Sequence, residues 1–260
     1  MFQNFSAMFK KSLIPLILVL FLTSCTSKKN LIYYQNIDSY KLNANKYESV
    51  LQPDDLLTIV VRGETPESVA PFNMPNISYN TSGENGLEVQ RMFTYLIDSE
   101  GNINFPSIGK VKVGSKTRLE AENLLIEKLS LYVTNPKVDV RILNFKISVQ
   151  GEVNKPGTFS ITSERITLLE AISLAGDLTI YGKRDNILVI REVNGEKSIQ
   201  RIDLKKADFM NSPYYYLRQN DVVYIEPNKT KINSAVVGPN IGIVLSAVSL
   251  LVTILALTIK

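Results

Sequence analysis

Along most of the chain apolar and polar positions alternate with the period of strands, and two stretches switch to the period of a helix. Residues 51–61 (LQPDDLLTIVV) read as a turn feeding a strongly apolar strand. Residues 63–90 hold Pro66, Pro71, Pro75, Gly83 and Gly86 among many Asn and Ser, and read as loop. Residues 93–97 predict a strand, Ser99-Glu100-Gly101-Asn102 a turn, and residues 103–105 a second strand. Pro106-Ser107-Ile108-Gly109 follows, and Val111 and Val113 then alternate. Thr117-Arg118-Leu119-Glu120 has the form of a capping box. The helix it opens carries Leu119, Ala121, Leu124, Leu125 and Leu129 and runs to about Ser130. Residues 137–143 alternate again, with Val138, Val140 and Ile142 inward and Asp139 and Arg141 outward.

A second unit begins near Phe145. Ile147 and Val149 alternate up to Gly151, Val153 precedes the turn Asn154-Lys155-Pro156-Gly157, and Phe159 and Ile161 make a short strand. Thr167-Leu168-Leu169-Glu170 is another capping box, and Gly176 stands where a helix C-cap belongs. Residues 187–193 and 197–204 flank Asn194-Gly195, a strong hairpin signal. The unit closes on residues 217–227, whose Leu217-x-x-Asn220-Asp221-Val222-Val223-Tyr224-Ile225 aligns without gaps to Leu51-x-x-Asp54-Asp55-Leu56-Leu57-Thr58-Ile59. The shared content is a tight Asp/Asn turn feeding a buried strand. The fold class predicted is α+β: a β-rich domain with one main helix over residues 48–143, then a second domain over residues 145–228.

The two ends have a different character. Lys10 and Lys11 precede an apolar run at residues 13–22, too short for a bilayer core of about 30 Å and followed by small residues, as in a secretory signal. Leu22-Thr23-Ser24-Cys25 resembles a bacterial lipobox. That implies removal of residues 1–24 and lipidation of Cys25; Met8 is an alternative start. Residues 25–47 are then a lipidated tether, and the polar, Tyr/Asn/Lys-rich stretch 26–50 predicts little regular structure. Thr26 after the cysteine favours the outer membrane. At the other end, residues 239–259 predict a transmembrane helix, since residues 241–259 contain no charge. Gly242, Ser246, Ser249, Thr253 and Ala256 recur at helical spacing on one face, and Gly238 with Gly242 adds a G-x-x-x-G step. Such a stripe serves helix packing or faces a wet lumen; the alternative is a plain anchor.

Composition narrows the chemistry. The chain has 260 residues, 45% hydrophobic and 21% charged, with a net charge of +4 and no histidine. That composition supports a proper core, and the small, evenly spread charge gives no case for nucleic acid. Without histidine, and with Cys25 as the only cysteine, histidine acid–base chemistry, catalytic triads, nearly all zinc sites and any intramolecular disulfide are excluded. No catalytic residue, metal or cofactor is assigned. Asp54-Asp55 and Asn220-Asp221 each sit just before an apolar strand, where turn chemistry explains them. Tyr214, Tyr215 and Tyr216, with Tyr181 and Tyr224, either stack on sugar rings or pack as a half-buried aromatic strand.

In order, residues 51–61, the run 98–109, the capped helix at Thr117 and Asn135-Pro136-Lys137-Val138 resemble the export domain of the outer-membrane polysaccharide export family. Val149-Gln150-Gly151-Glu152-Val153-x-x-Pro156-Gly157, residues 167–176 and residues 220–225 resemble its soluble-ligand-binding (SLBB) β-grasp domain. The resemblance implies a non-enzymatic lipoprotein of the outer membrane that exports capsular polysaccharide or exopolysaccharide. It further implies a homo-oligomer ring, a periplasmic vestibule, C-terminal helices assembled into a barrel, and an inner-membrane co-polymerase as partner. The chain departs from the best-known members in having one β-grasp domain instead of two, and in a tail more uniformly apolar than a water-lining helix requires. A non-pore adaptor lipoprotein that binds glycan or a partner is the alternative, and a carboxylate glycan-processing enzyme a weaker one.

Overall fold

The computed structural model describes residues 28–41, 48–73, 77–80, 88–91, 93–193, 195–237 and 241–258. The chain is mixed α+β, with two separate cores. In the first, the apolar strand β1 (Leu56–Arg62) leads into a short helix α1 (Pro66–Val69), started by the Thr65 side chain and a proline in its first turn. Two strands, β2 (Ile77–Asn80) and β3 (Glu88–Arg91), pair as an antiparallel ribbon inside the stretch expected to be loop. The prolines there lie outside its strands, and Asn80 ends β2. Next come β4 (Tyr95–Leu96), β5 (Asn102–Phe105), β6 (Gly109–Lys112), α2 (Arg118–Leu129) and β7 (Lys137–Ile142).

Strand β1 lies between β4 and β7 in an antiparallel sheet, and α2 packs on β7. Thr117 and Glu120 form the reciprocal capping box. Ala121, Leu125 and Leu129 are buried on the helix's inner face, and Leu119 is exposed because it points at the gap between the domains. Glu122 is also buried. Its Oε1 accepts from Arg118 Nη1 at 2.7 Å and from the Val140 amide at 3.0 Å, so the carboxylate is satisfied where it fastens helix to sheet.

The second core is built from β8 (Lys146–Gly151), β9 (Gly157–Ser160), β10 (Ile166–Thr167), α3 (Leu168–Leu174), β11 (Gly182–Val193), β12 (Glu196–Ile202), β13 (Tyr216–Leu217) and β14 (Val222–Pro227). Five strands form a mixed sheet in the order β12-β11-β14-β8-β9. Its first and last strands, β8 and β14, run parallel at the centre, and the other pairs are antiparallel. Helix α3 packs its buried Leu168, Ala171 and Ile172 into the core. At the end of β8, Gly151 has a positive φ of 92°, and a Cβ there would collide with the Ile225 carbonyl oxygen. Only glycine permits that close approach of the parallel strands.

Residues 28–41 have little regular structure, only the short 3-10 turns Lys28–Asn30 and Ile37–Ser39, but they form a strap that crosses the second domain. Its fastenings are to residues far along the chain, so no local pattern announces them. At the other end, α4 (Lys229–Val237) is followed by α5 (Ile241–Thr258). A helix is present, but among the described residues none is long and apolar enough to cross a membrane. The expected span at residues 239–259 is therefore not supported.

Candidate functional site

The most constrained part of the molecule is the joint between the domains, and the two similar sequence strings build it. In the first, Asp54 takes the left-handed conformation (φ 69°), the Asp55 amide donates to the Gln52 carbonyl at 3.2 Å, and Asp55 Oδ2 accepts from the Gln52 amide at 2.8 Å. In the second, Asn220 is left-handed (φ 62°), the Asp221 amide donates to the Arg218 carbonyl at 3.1 Å, and Asp221 Oδ2 accepts from the Arg218 amide at 2.8 Å. Leu51 and Leu217, at the head of each string, are fully buried. The alignment thus marks one turn used twice, with Asp or Asn tolerating the left-handed position.

Between the turns runs the connection from β7 to β8, and Asn144 on it joins both. Its Oδ1 accepts from the Leu56 amide at 2.9 Å and its Nδ2 donates to the Asp54 carbonyl at 2.9 Å. Its own carbonyl accepts from Gln219 Nε2 at 2.9 Å, and Gln219 Oε1 accepts from the Lys146 amide at 2.8 Å. Four hydrogen bonds therefore clamp the linker to the first-domain turn and the second-domain turn together. Neither Asn144 nor Gln219 stood out in the sequence, because a clamp of this kind has no spacing rule.

Beside the joint lies a cleft of about 570 Å³ lined by both domains. Arg118, Arg141 and Arg165 reach it, with Glu48 and Glu164, the hydroxyls of Thr117 and Ser163, and Phe145. Arg118 Nε lies 3.7 Å from Glu164 Oε1 across the domain boundary. The cleft offers guanidinium groups and hydroxyls to an oxygen-rich ligand. Among the described residues, no cluster of three or more metal-ligating side chains occurs.

The tyrosine run is held from beneath. Arg191, itself buried, meets buried Asp221 through Nη2–Oδ2 at 2.6 Å and Nε–Oδ1 at 3.0 Å. The same guanidinium donates to the carbonyls of Pro213 and Tyr216 and lies 4.5 Å above the Tyr214 ring. Tyr215 packs against Tyr216 and Phe209, burial raises its phenol's pKa, and Arg165 covers Tyr216. Tyr214, Tyr215 and Tyr216 are all half-buried. Guanidinium groups already occupy one face each of Tyr214 and Tyr216. Burial and these ring contacts fix the run in place.

The other expected site residues are placed as follows. Cys25 and Gly238 lie outside the described residues. Gly242, Ser246, Ser249 and Thr253 are on α5, whose described side chains are all exposed; the side chain of Ala256 is not among those described. Ser246 Oγ donates to the Gly242 carbonyl at 2.7 Å and Thr253 Oγ1 to the Ser249 carbonyl at 2.8 Å. Hydroxyls satisfied by their own helix need neither water nor a partner helix, so the stripe is less polar than its composition.

The strap is anchored at both ends of its crossing. Tyr34 and Gln35 amides donate to the Leu204 and Lys205 carbonyls, the Ala207 amide donates to Asn36 Oδ1, and Asn211 Nδ2 donates to Tyr40 Oη. Tyr34 stacks near Phe209, and Tyr33 Oη donates to Asp177 Oδ1 at 2.7 Å beneath the Arg184 guanidinium. Burial, and the Asp177 carboxylate it serves, push the Tyr33 phenol up.

Comparison with known proteins agrees with this two-domain geometry. Residues 43–143 match the polysaccharide biosynthesis/export protein family, and residues 145–225 match the SLBB domain. The chain is 29% identical over 213 residues to the EPS I polysaccharide export outer membrane protein EpsA of Ralstonia solanacearum, covering 79% of this chain and 56% of that protein. It is 28% identical over 216 residues to the protein of the same name from Ralstonia nicotianae, covering 80% of this chain and 55% of the relative. The chain thus spans slightly more than half the length of these curated relatives. With the export domain and the SLBB domain matched one after the other, the chain belongs to the outer-membrane polysaccharide export family.

Proposed function

We propose that the protein is a non-enzymatic component of an outer-membrane conduit that carries an extracellular or capsular polysaccharide from the periplasm to the cell surface. One observation carries this reading: the export domain and the SLBB domain occur in immediate succession and are clamped to each other through Asn144. Relatives that align over about four fifths of the chain are named as polysaccharide export outer membrane proteins. A rigid pair of domains suits a wall element repeated around a ring, because a flexible joint would let the lumen collapse. Lipidation at Cys25, a homo-oligomer ring, and an inner-membrane co-polymerase as the source of the chain and of motive energy complete the proposal.

In this proposal the tail enters the outer membrane, which is thinner than average. Support comes from the uncharged sequence of α5, its exposure on every described side and the internal bonding of Ser246 and Thr253. An apolar helix exposed all round needs lipid or other helices to cover it. The test is complementation of a deletion strain with measurement of surface polysaccharide. The wild-type chain restores secretion, and Ser246→Leu with Ser249→Leu abolishes it if tails pack as a barrel. Normal secretion by that double variant overturns the barrel.

A second reading, a periplasmic adaptor lipoprotein without a pore, is favoured by the absence, among the described residues, of a helix long and apolar enough to cross a membrane. It requires secretion to survive removal of residues 238–260.

A further inference from the structure

Both ends of the described chain converge on one loop of the second domain, residues 177–182. From the N-terminal side, Tyr33 Oη donates to Asp177 Oδ1 and the Tyr33 ring lies 5.5 Å from the Arg184 guanidinium. From the C-terminal side, the Asn228 amide donates to the Tyr181 carbonyl at 2.7 Å, and Lys231 Nζ sits 5.2 Å from the centre of the Tyr181 ring. The loop lies between the two segments of the chain that lead to the lipobox and to the apolar tail. Its own apex is apolar and bare: Ile180 is 67% exposed.

Other exposed apolar side chains lie next to it in the chain segments fastened there. Leu31 and Ile32 directly precede Tyr33, and Ile232 follows Lys231; all three are exposed. The charges around them are mostly basic. Lys29, Lys155, Lys229 and Lys231 are exposed, and Lys155 is placed here because its amide donates to the Ala175 carbonyl. The nearby carboxylates are fewer: Asp177 keeps its charge while accepting from Tyr33 and from the Leu178 amide, and Glu152 accepts from Thr179 Oγ1 and pairs with Lys231. Exposed isoleucines and a leucine on segments that carry more lysines than carboxylates suit an interfacial contact with anionic phospholipid. Chain length agrees. From Cys25 to Leu31 the chain reaches at most about 21 Å, so a lipid on Cys25 keeps this end of the domain near the bilayer surface.

We infer that the surface formed by loop 177–182, the strap residues Leu31 and Ile32 and the start of α4 is a membrane-docking face, which seats the SLBB domain on the periplasmic leaflet. Ile180 and Ile32 enter the headgroup region, and the lysines meet lipid phosphates. The export domain then points away into the periplasm. The strap is the device that makes this orientation fixed: it ties the lipidated end to the domain farther along the chain, instead of to the export domain that directly follows it. This inference rests on the lipoprotein reading above.

The test uses the full-length, lipidated protein reconstituted into vesicles of phosphatidylethanolamine and phosphatidylglycerol that contain doxyl-labelled lipid. Lipidation consumes the thiol of Cys25, so a cysteine introduced by Ile180→Cys, Ile32→Cys or, as control, Leu131→Cys carries the fluorescent label alone. Leu131 is 82% exposed on the export domain. Labels at 180 and 32 are expected to be quenched at least about twofold more than the label at 131, as groups within the headgroup layer are. Equal quenching at all three positions, in protein that floats with the vesicles, overturns the docking face and leaves the lipoprotein reading intact. Protein that does not float overturns both.

Discussion

The two Asp/Asn turns share their backbone and differ in what faces the carboxylate. Asp221 is met by Arg191, whose three guanidinium nitrogens bond Asp221 and the carbonyls of Pro213 and Tyr216. Among the described residues no cation pairs with Asp55. Its Oδ2 accepts from the Gln52 amide, but its Oδ1 is buried and makes no hydrogen bond among the described residues. Burial first, and the adjacent Asp54 charge, raise its pKa to about 6, with the Gln52 amide opposing. One turn is therefore locked by a buried ion pair, and the other carries a carboxylate whose ionisation works against folding. The lesson is that the shared string specifies the turn, while stability at each copy depends on residues outside it.

The largest expected effect separates the two copies directly. Asp221→Asn leaves Arg191 buried without a counter-charge, a change that costs about 3–5 kcal/mol. Urea unfolding should show it, together with loosening of the tyrosine run visible as increased hydrogen exchange at residues 213–217. A cost similar to that of an exposed substitution would mean that the pair is dispensable.

Asp55→Asn should act in the opposite direction. Because the folded pKa lies above the unfolded value, the native state binds the proton more tightly, so stability falls as pH rises from about 4 to about 6 and stays lowered above that. A displacement of roughly two units corresponds to about 3 kcal/mol at most. The variant should flatten this dependence, gain stability at neutral pH and match the wild type below about pH 4. A wild-type stability that rises through the same window in a manner abolished by the variant would reverse the sign and refute the assignment.

The clamp between the copies is next. Asn144→Ala strips partners from the Leu56 amide and the Asp54 carbonyl, a loss of about 1–3 kcal/mol. The distinguishing readout is domain independence: two separate unfolding transitions, or cleavage by protease at residues 143–146, where the wild type unfolds as one unit. The smallest effects belong to the second matched pair, the helix caps. Thr117→Ala and Thr167→Ala should each cost about 1 kcal/mol, and near-equal values would show that local capping, unlike the Asp turns, is independent of the domain that contains it.

What was legible in the sequence was local. Both capping boxes, the left-handed turn positions at Asp54 and Asn220, and the alternation of Ile147 and Val149 depend on neighbours a few residues away, and sequence spacing expresses such relations. The parallel pairing of β8 with β14 joins residues more than 70 apart (Ser148 with Val222), and nothing in either strand names its partner. The fastening of the strap was hidden for the same reason: its tyrosines and asparagines are tied to residues 177–211. The ribbon β2–β3 was hidden by flanking prolines and asparagines. At the joint, the Asp turns stood out in the sequence but were explained as turns alone. Asn144, Gln219 and Arg191, which turn them into a clamp, had no signal at all.

The central claim is that this rigid pair of domains is the repeating wall of an export conduit. The most direct measurement is single-particle imaging, with mass determination, of the full-length lipidated protein extracted in mild detergent. The claim predicts a closed ring around a central cavity, with the tails gathered on one face beside the SLBB domains. A monodisperse monomer or dimer would contradict it and leave an anchored adaptor in its place.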